Sequence, residues 1–95
     1  MSICVIARAK AKPGKEKELE AALQAVVGPT RKEAGCEVYV LQQGWDDKTF
    51  YQVNETWTSH EHWQAHLKTP HIQNLFQTIP NLVTSAPEML VFREV

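Results

Sequence analysis

No apolar stretch in the sequence approaches the roughly 20 residues that a helix needs to cross a bilayer, so a membrane-spanning helix is not expected. A basic cluster is missing too. Ten Lys and Arg are interspersed among eleven Asp and Glu, for a formal net charge of −1. That balance argues against nucleic acid or an anionic membrane as a partner. Only two cysteines occur, Cys4 and Cys36, widely spaced and each in an apolar strand context. A structural disulfide is not expected in a reducing compartment, and neither thiol has a basic neighbour in sequence to activate it. The opening Met1-Ser2-Ile3-Cys4-Val5-Ile6-Ala7-Arg8 alternates like a strand and lacks the basic head and apolar run of a leader. The cytoplasm is therefore the expected location. There is no internal repeat, linker or low-complexity segment, so residues 1–95 are expected to form a single domain.

The 43% apolar and 22% charged content is that of a folded chain rather than a disordered one. Residues 3–11 alternate as a first strand, with Ile3, Val5, Ala7 and Ala9 on one face. Lys12-Pro13-Gly14 breaks it. Residues 15–34 carry a helical stripe of Leu19, Ala22, Leu23, Val26, Val27 and Thr30. Gly28-Pro29 predicts a kink or break there, and Gly35 a left-handed cap. Residues 36–44 and 49–56 predict two strands joined by the turn residues Asp46-Asp47-Lys48. Thr58-Ser59 predicts an N-cap for a short helix over 60–68, which Thr69-Pro70 stops. A further helix over 71–82 presents Ile72, Leu75, Phe76 and Ile79, and 88–95 is a last strand. The order βαββαβ, with its second helix split in two, is the ferredoxin-like α+β arrangement, an antiparallel sheet covered on one face.

The uncovered face of such a sheet should be polar, but here it is not. Val38 and Val40 oppose Tyr39 and Leu41, Phe50 opposes Tyr51, Val53 and Trp57, and the last strand is apolar on both sides. A second copy, packed sheet against sheet, is the simplest cover for that patch. A homodimer is therefore expected.

The stretch Phe50-Tyr51-Gln52-Val53-Asn54-Glu55-Thr56-Trp57, followed by His66-Leu67-Lys68-Thr69-Pro70-His71, resembles the antibiotic biosynthesis monooxygenase domain family. So do Ala11-Lys12-Pro13-Gly14-Lys15 and Pro29-Thr30-Arg31-Lys32-Glu33-Ala34-Gly35-Cys36, and the resemblance spans nearly the whole chain. It implies a dimeric α+β barrel with a pocket between each subunit's sheet and helices. Activities among relatives include oxygenation of anthrones and quinols without metal or flavin, haem degradation, and isomerisation of a phosphorylated autoinducer. Of the residues that haem-degrading relatives use, only Trp57 has a counterpart. Ile6-Ala7-Arg8-Ala9 supplies no Asn, and the helix after His71 has no further His.

The leading expectation is a cofactor-independent monooxygenase or oxidase, taking dioxygen and a small quinol, anthrone or polyphenol. An electron-rich substrate, once deprotonated, reduces dioxygen itself, so the protein must position it, accept its proton and exclude water. Tyr51, Trp57, Phe76 and Phe92 are candidate walls, and Asn54, His66 and His71 candidate polar groups. His66 is the first choice for proton transfer because imidazole titrates near neutral pH. Glu55 shares strand parity with Trp57, whereas Asn54 has the opposite parity. His62 and His66 stand at i and i+4, a spacing that can hold zinc, but no HExxH is present and no metal is expected. Two other readings stay open: an acid–base isomerase using His66 with Glu55 or Tyr51, with Arg8 or Lys10 for a phosphorylated substrate, and a small-molecule-binding domain without turnover.

Overall fold

A computed structural model describes residues 2–95. Strand β1 (Ile3–Lys10) leads to helix α1 (Glu16–Ala25) and the short helix α2 (Val27–Arg31). Strands β2 (Cys36–Gln43) and β3 (Phe50–Trp57) form the hairpin. Helix α3 (His60–Leu67), helix α4 (Pro70–Thr78), a 3₁₀ turn (Ile79–Asn81) and strand β4 (Glu88–Arg93) complete the chain. The sheet order is β2-β3-β1-β4, and every pairing is antiparallel. This is the ferredoxin-like α+β arrangement. No helix among the described residues is long and apolar enough to cross a membrane.

The break in the first helical segment falls at Val26 rather than at Gly28-Pro29. Those two residues open α2, where proline's missing N–H would have had no partner in any case. Gly35 ends the segment with φ +84°, the left-handed conformation that a Cβ disfavours. A Cβ there would also collide with the His62 ring. Ser59 caps α3 as expected, its hydroxyl accepting from the His62 N–H. Strand β4 stops at Arg93, two residues short of the expected end.

The period of two along each strand divides the sheet cleanly. Ile3, Val5, Ala9, Tyr39, Tyr51, Val53, Glu55 and Trp57 are buried beneath the helices. Leu19, Leu23, Val26, Ile72, Leu75 and Ile79 close over them, as the two helical stripes require. Cys4, Ile6, Val38, Val40, Asn54, Leu90 and Phe92 have the opposite parity and lie on the uncovered face. Both cysteines are free.

Candidate functional site

A cavity of about 60 Å³ lies between the sheet and helices α3 and α4. Ala7, Ala9, Tyr39, Tyr51, Val53 and Glu55 floor it, and Trp63, His66, Leu67, Ile72 and Leu75 roof it. Phe76 and Met89, each about 40% exposed, sit at its rim. Ligand pockets for drug-sized molecules run to roughly 300–1,000 Å³.

His66 is the polar centre of this wall. It comes from the last turn of α3, is 2% exposed, and has Trp57 at 4.6 Å and Tyr39 at 5.8 Å between ring centroids. Its Nδ1 stands 2.8 Å from Glu33 Oε2, and the same oxygen is 2.8 Å from His71 Nε2. Its Nε2 faces Glu55 Oε1 at 3.9 Å, beyond hydrogen-bond length. Glu55 in turn accepts a hydrogen bond from the Trp57 indole N–H at 2.9 Å. The strand parity shared by Glu55 and Trp57 makes that contact possible.

Burial governs the protonation of these groups. Glu55 is raised to about 7, chiefly by desolvation, which outweighs the Trp57 hydrogen bond that favours its charged form. His66 is lowered, again chiefly by burial, with the Glu33 hydrogen bond and charge opposing and His71 adding to the fall. At neutral pH His66 is therefore a neutral imidazole. Burial also lifts the Tyr39 phenol above its ordinary range, with the Glu55 charge adding to it, so Tyr39 keeps its proton.

Several expected site residues fall elsewhere. Asn54 and Phe92 lie on the uncovered face of the sheet and do not line the cavity. The period of two sends them there: Asn54 binds Gln42 instead, and Phe92 pairs across from Cys4. His71 does not line the cavity either. It is partly exposed and faces Glu33 from the start of α4. Trp57 is fully buried behind the wall, touching His66 and Glu55 rather than the cavity. Tyr51 lines the cavity with its ring, while its hydroxyl donates to Glu20 and accepts from Gln43. His66, Glu55 and Phe76 line the cavity.

Sequence reasoning missed Glu33, Tyr39 and Trp63. Glu33 sits in the turn between α2 and β2, where no periodicity assigns a direction to a side chain. Its one signal was its place within the segment from Pro29 to Cys36 that carried the family resemblance. His62 is not the partner of His66, because its Nδ1 is engaged by Ser59 and Thr58 at the cap. The ligand atoms of Glu33, His66 and His71 all lie within 4.8 Å of one another, a donor set that a metal could use. Each nitrogen already stands at hydrogen-bond distance from one oxygen, so the trio is satisfied without an ion.

The fold recurs among solved structures. Rv0793 of Mycobacterium tuberculosis is 28% identical, with a TM-score of 0.95 covering 100% of this chain and 96% of that one. PA3566 of Pseudomonas aeruginosa is also 28% identical, with a TM-score of 0.91 over 99% and 95%. SO0527 of Shewanella oneidensis is 30% identical, with a TM-score of 0.86 over 97% and 93%. No curated protein matches the chain. The family profile described as antibiotic biosynthesis monooxygenase matches residues 2–78, most of the chain and all of the cavity's polar groups. The chain belongs to the antibiotic biosynthesis monooxygenase family.

Proposed function

We propose that this protein is a cofactor-independent monooxygenase of a small, electron-rich aromatic compound such as a quinol or anthrone. The observation that carries the reading is a buried, neutral imidazole, with Glu55 beside it, in the wall of a cavity lined mainly by apolar and aromatic side chains. His66 Nε2 takes a proton from the acidic C–H or O–H of the substrate. The resulting anion passes one electron to dioxygen, and the radical pair combines to a carbon-bound peroxide. In the anthrone case His66 returns the proton to that peroxide, and loss of water leaves a carbonyl. One oxygen atom enters the product, the other leaves as water, and His66 ends as it began. The apolar walls keep water from the radical pair, and the ring of Tyr51 with Phe76 and Met89 at the rim set the ligand's plane. Trp57 supports His66 from behind, and Glu55 stands beside its Nε2. No metal or flavin takes part.

A homodimer forms through the uncovered sheet face in this reading. Val38, Val40, Phe50 and Phe92 on that face are each at least 36% exposed, a density of apolar side chains that a second copy would remove from water.

Oxygen uptake by chelated, dialysed protein across a panel of hydroquinones and anthrones tests the proposal. Uptake with stoichiometric oxygenated product, falling toward the uncatalysed rate in His66→Ala, supports it. Uptake that never exceeds spontaneous autoxidation rejects it for that panel. One observation favours a second reading, an acid–base isomerase. Glu55, raised to about 7, faces His66 in the same wall and gives the site two proton-exchanging groups. Turnover under nitrogen would select that reading.

A further inference from the structure

The least expected feature of the site is a carboxylate with two histidines on one oxygen. We propose that Glu33 is a positioning residue that locks His66 in the tautomer whose bare Nε2 faces the cavity, and that His71 holds Glu33 in place. The inference rests on the reading of His66 as the proton acceptor.

A carboxylate only accepts hydrogen bonds, so each nitrogen 2.8 Å from Glu33 Oε2 must carry a hydrogen. A neutral imidazole has one N–H. With that hydrogen on Nδ1, Nε2 of His66 keeps a bare lone pair, and Nε2 is the nitrogen turned toward Glu55, which lines the cavity together with His66. Among the described residues, no other side chain stands within hydrogen-bond distance of His66 Nδ1. Glu33 is thus what prevents the opposite tautomer, whose Nε2–H could not accept a proton. The Glu55 oxygen, at 3.9 Å, is too distant to occupy that lone pair. The logic is that of a carboxylate orienting a histidine base.

Glu33 itself needs holding, because it stands in a turn rather than on a helix or strand. His71 supplies this from the first turn of α4, where Pro70 fixes the backbone at the helix start. Its Nε2 is also 3.4 Å from the Thr69 hydroxyl, which donates to the His66 carbonyl at 2.8 Å. Pocket, α3 and α4 are joined through this one carboxylate. Charged and titratable groups face His66 from the elements around it: Glu33 from the α2–β2 turn, Tyr39 from β2, Glu55 from β3 and His71 from α4. Of these, only Glu33 touches Nδ1.

Long-range proton–nitrogen NMR of the His66 ring in the full chain tests this without any substrate. The expected wild-type spectrum has a protonated Nδ1 and a bare Nε2. Glu33→Ala should shift the ring toward the Nε2–H tautomer, and Glu33→Gln, which keeps the volume, should end the exclusive Nδ1–H form. His71→Leu should loosen the lock, and His71→Gln, whose amide can still donate to Glu33, should restore it. A bare Nδ1 in the wild type, or an unchanged tautomer in both Glu33 variants, overturns the inference. With any substrate that passes the oxygen test, Glu33→Ala should lower kcat by about 10²- to 10⁴-fold with little change in KM. A KM effect alone overturns the positioning role. The expected tautomer without oxygen uptake on any substrate removes the oxygenase reading and leaves the lock standing.

Discussion

The two faces of the sheet are made by the same strands and treated in opposite ways. Beneath the helices, Val5, Tyr39, Tyr51, Val53 and Trp57 are all at most 5% exposed, Glu55 accepts from the Trp57 indole, and His66 is paired with Glu33. On the other face Arg8 donates to Gln52, and Gln52 and Asn54 both donate to Gln42, a polar strip down the middle. Val38, Val40, Phe50 and Phe92 flank that strip in the open. The covered face is complete within one chain and encloses a site. The open face has apolar side chains and hydrogen-bonded amides but no cover within the chain.

Disrupting the covered face should have the largest effect. Trp57→Ala removes a fully buried indole from against His66 and orphans the Glu55 contact. It should cost about 3–5 kcal/mol by denaturant unfolding. A loss under 1 kcal/mol would show that the packing there is not as tight as described. On the open face, Val40→Asp should leave the fold intact but convert dimer to monomer in sedimentation. A monomeric wild type at high concentration would break the comparison outright.

Glu55→Gln probes the covered face more finely. Because the Glu55 carboxyl is raised from about 4.5 to about 7, the native state holds its proton more tightly than the unfolded chain does. Wild-type stability should therefore fall as pH rises through that window and level off above it. Gln, uncharged and still able to accept from Trp57, should stabilise the protein by about 2–3 kcal/mol at pH 8 and by almost nothing below pH 4.5. His66 acts in the other direction: its lowered pKa means stability is lost as pH falls below about 6.5. The smallest pair of effects concerns the rim and the polar strip. Phe76→Ala should widen the entrance and lower KM for bulky substrates several-fold, whereas Asn54→Ala should change turnover less than two-fold.

The fold was legible because it rests on periodicity. Alternation along residues 3–11 and 49–56 and the Leu19–Leu23–Val26 stripe each assign a buried face, and one face is what the topology needs. Parity also separated Asn54 from Trp57. What periodicity cannot convey is direction at an element's end or within a turn. His71 opens a helix and turns away from the cavity, and Glu33 lies in a turn and reaches across to two helices. Phe92 was misassigned because β4 is apolar on both sides, so alternation in that strand could not tell the covered face from the open one.

Anaerobic titration with a quinol or anthrone, followed by absorbance, tests the central claim most directly, because it separates proton removal from oxygen chemistry. The account predicts that wild type converts bound substrate to its anion under nitrogen, that His66→Ala does not, and that admitting air discharges the anion to product. Oxygen consumption at the wild-type rate by a complex that never shows the anion, or by His66→Ala, would contradict it.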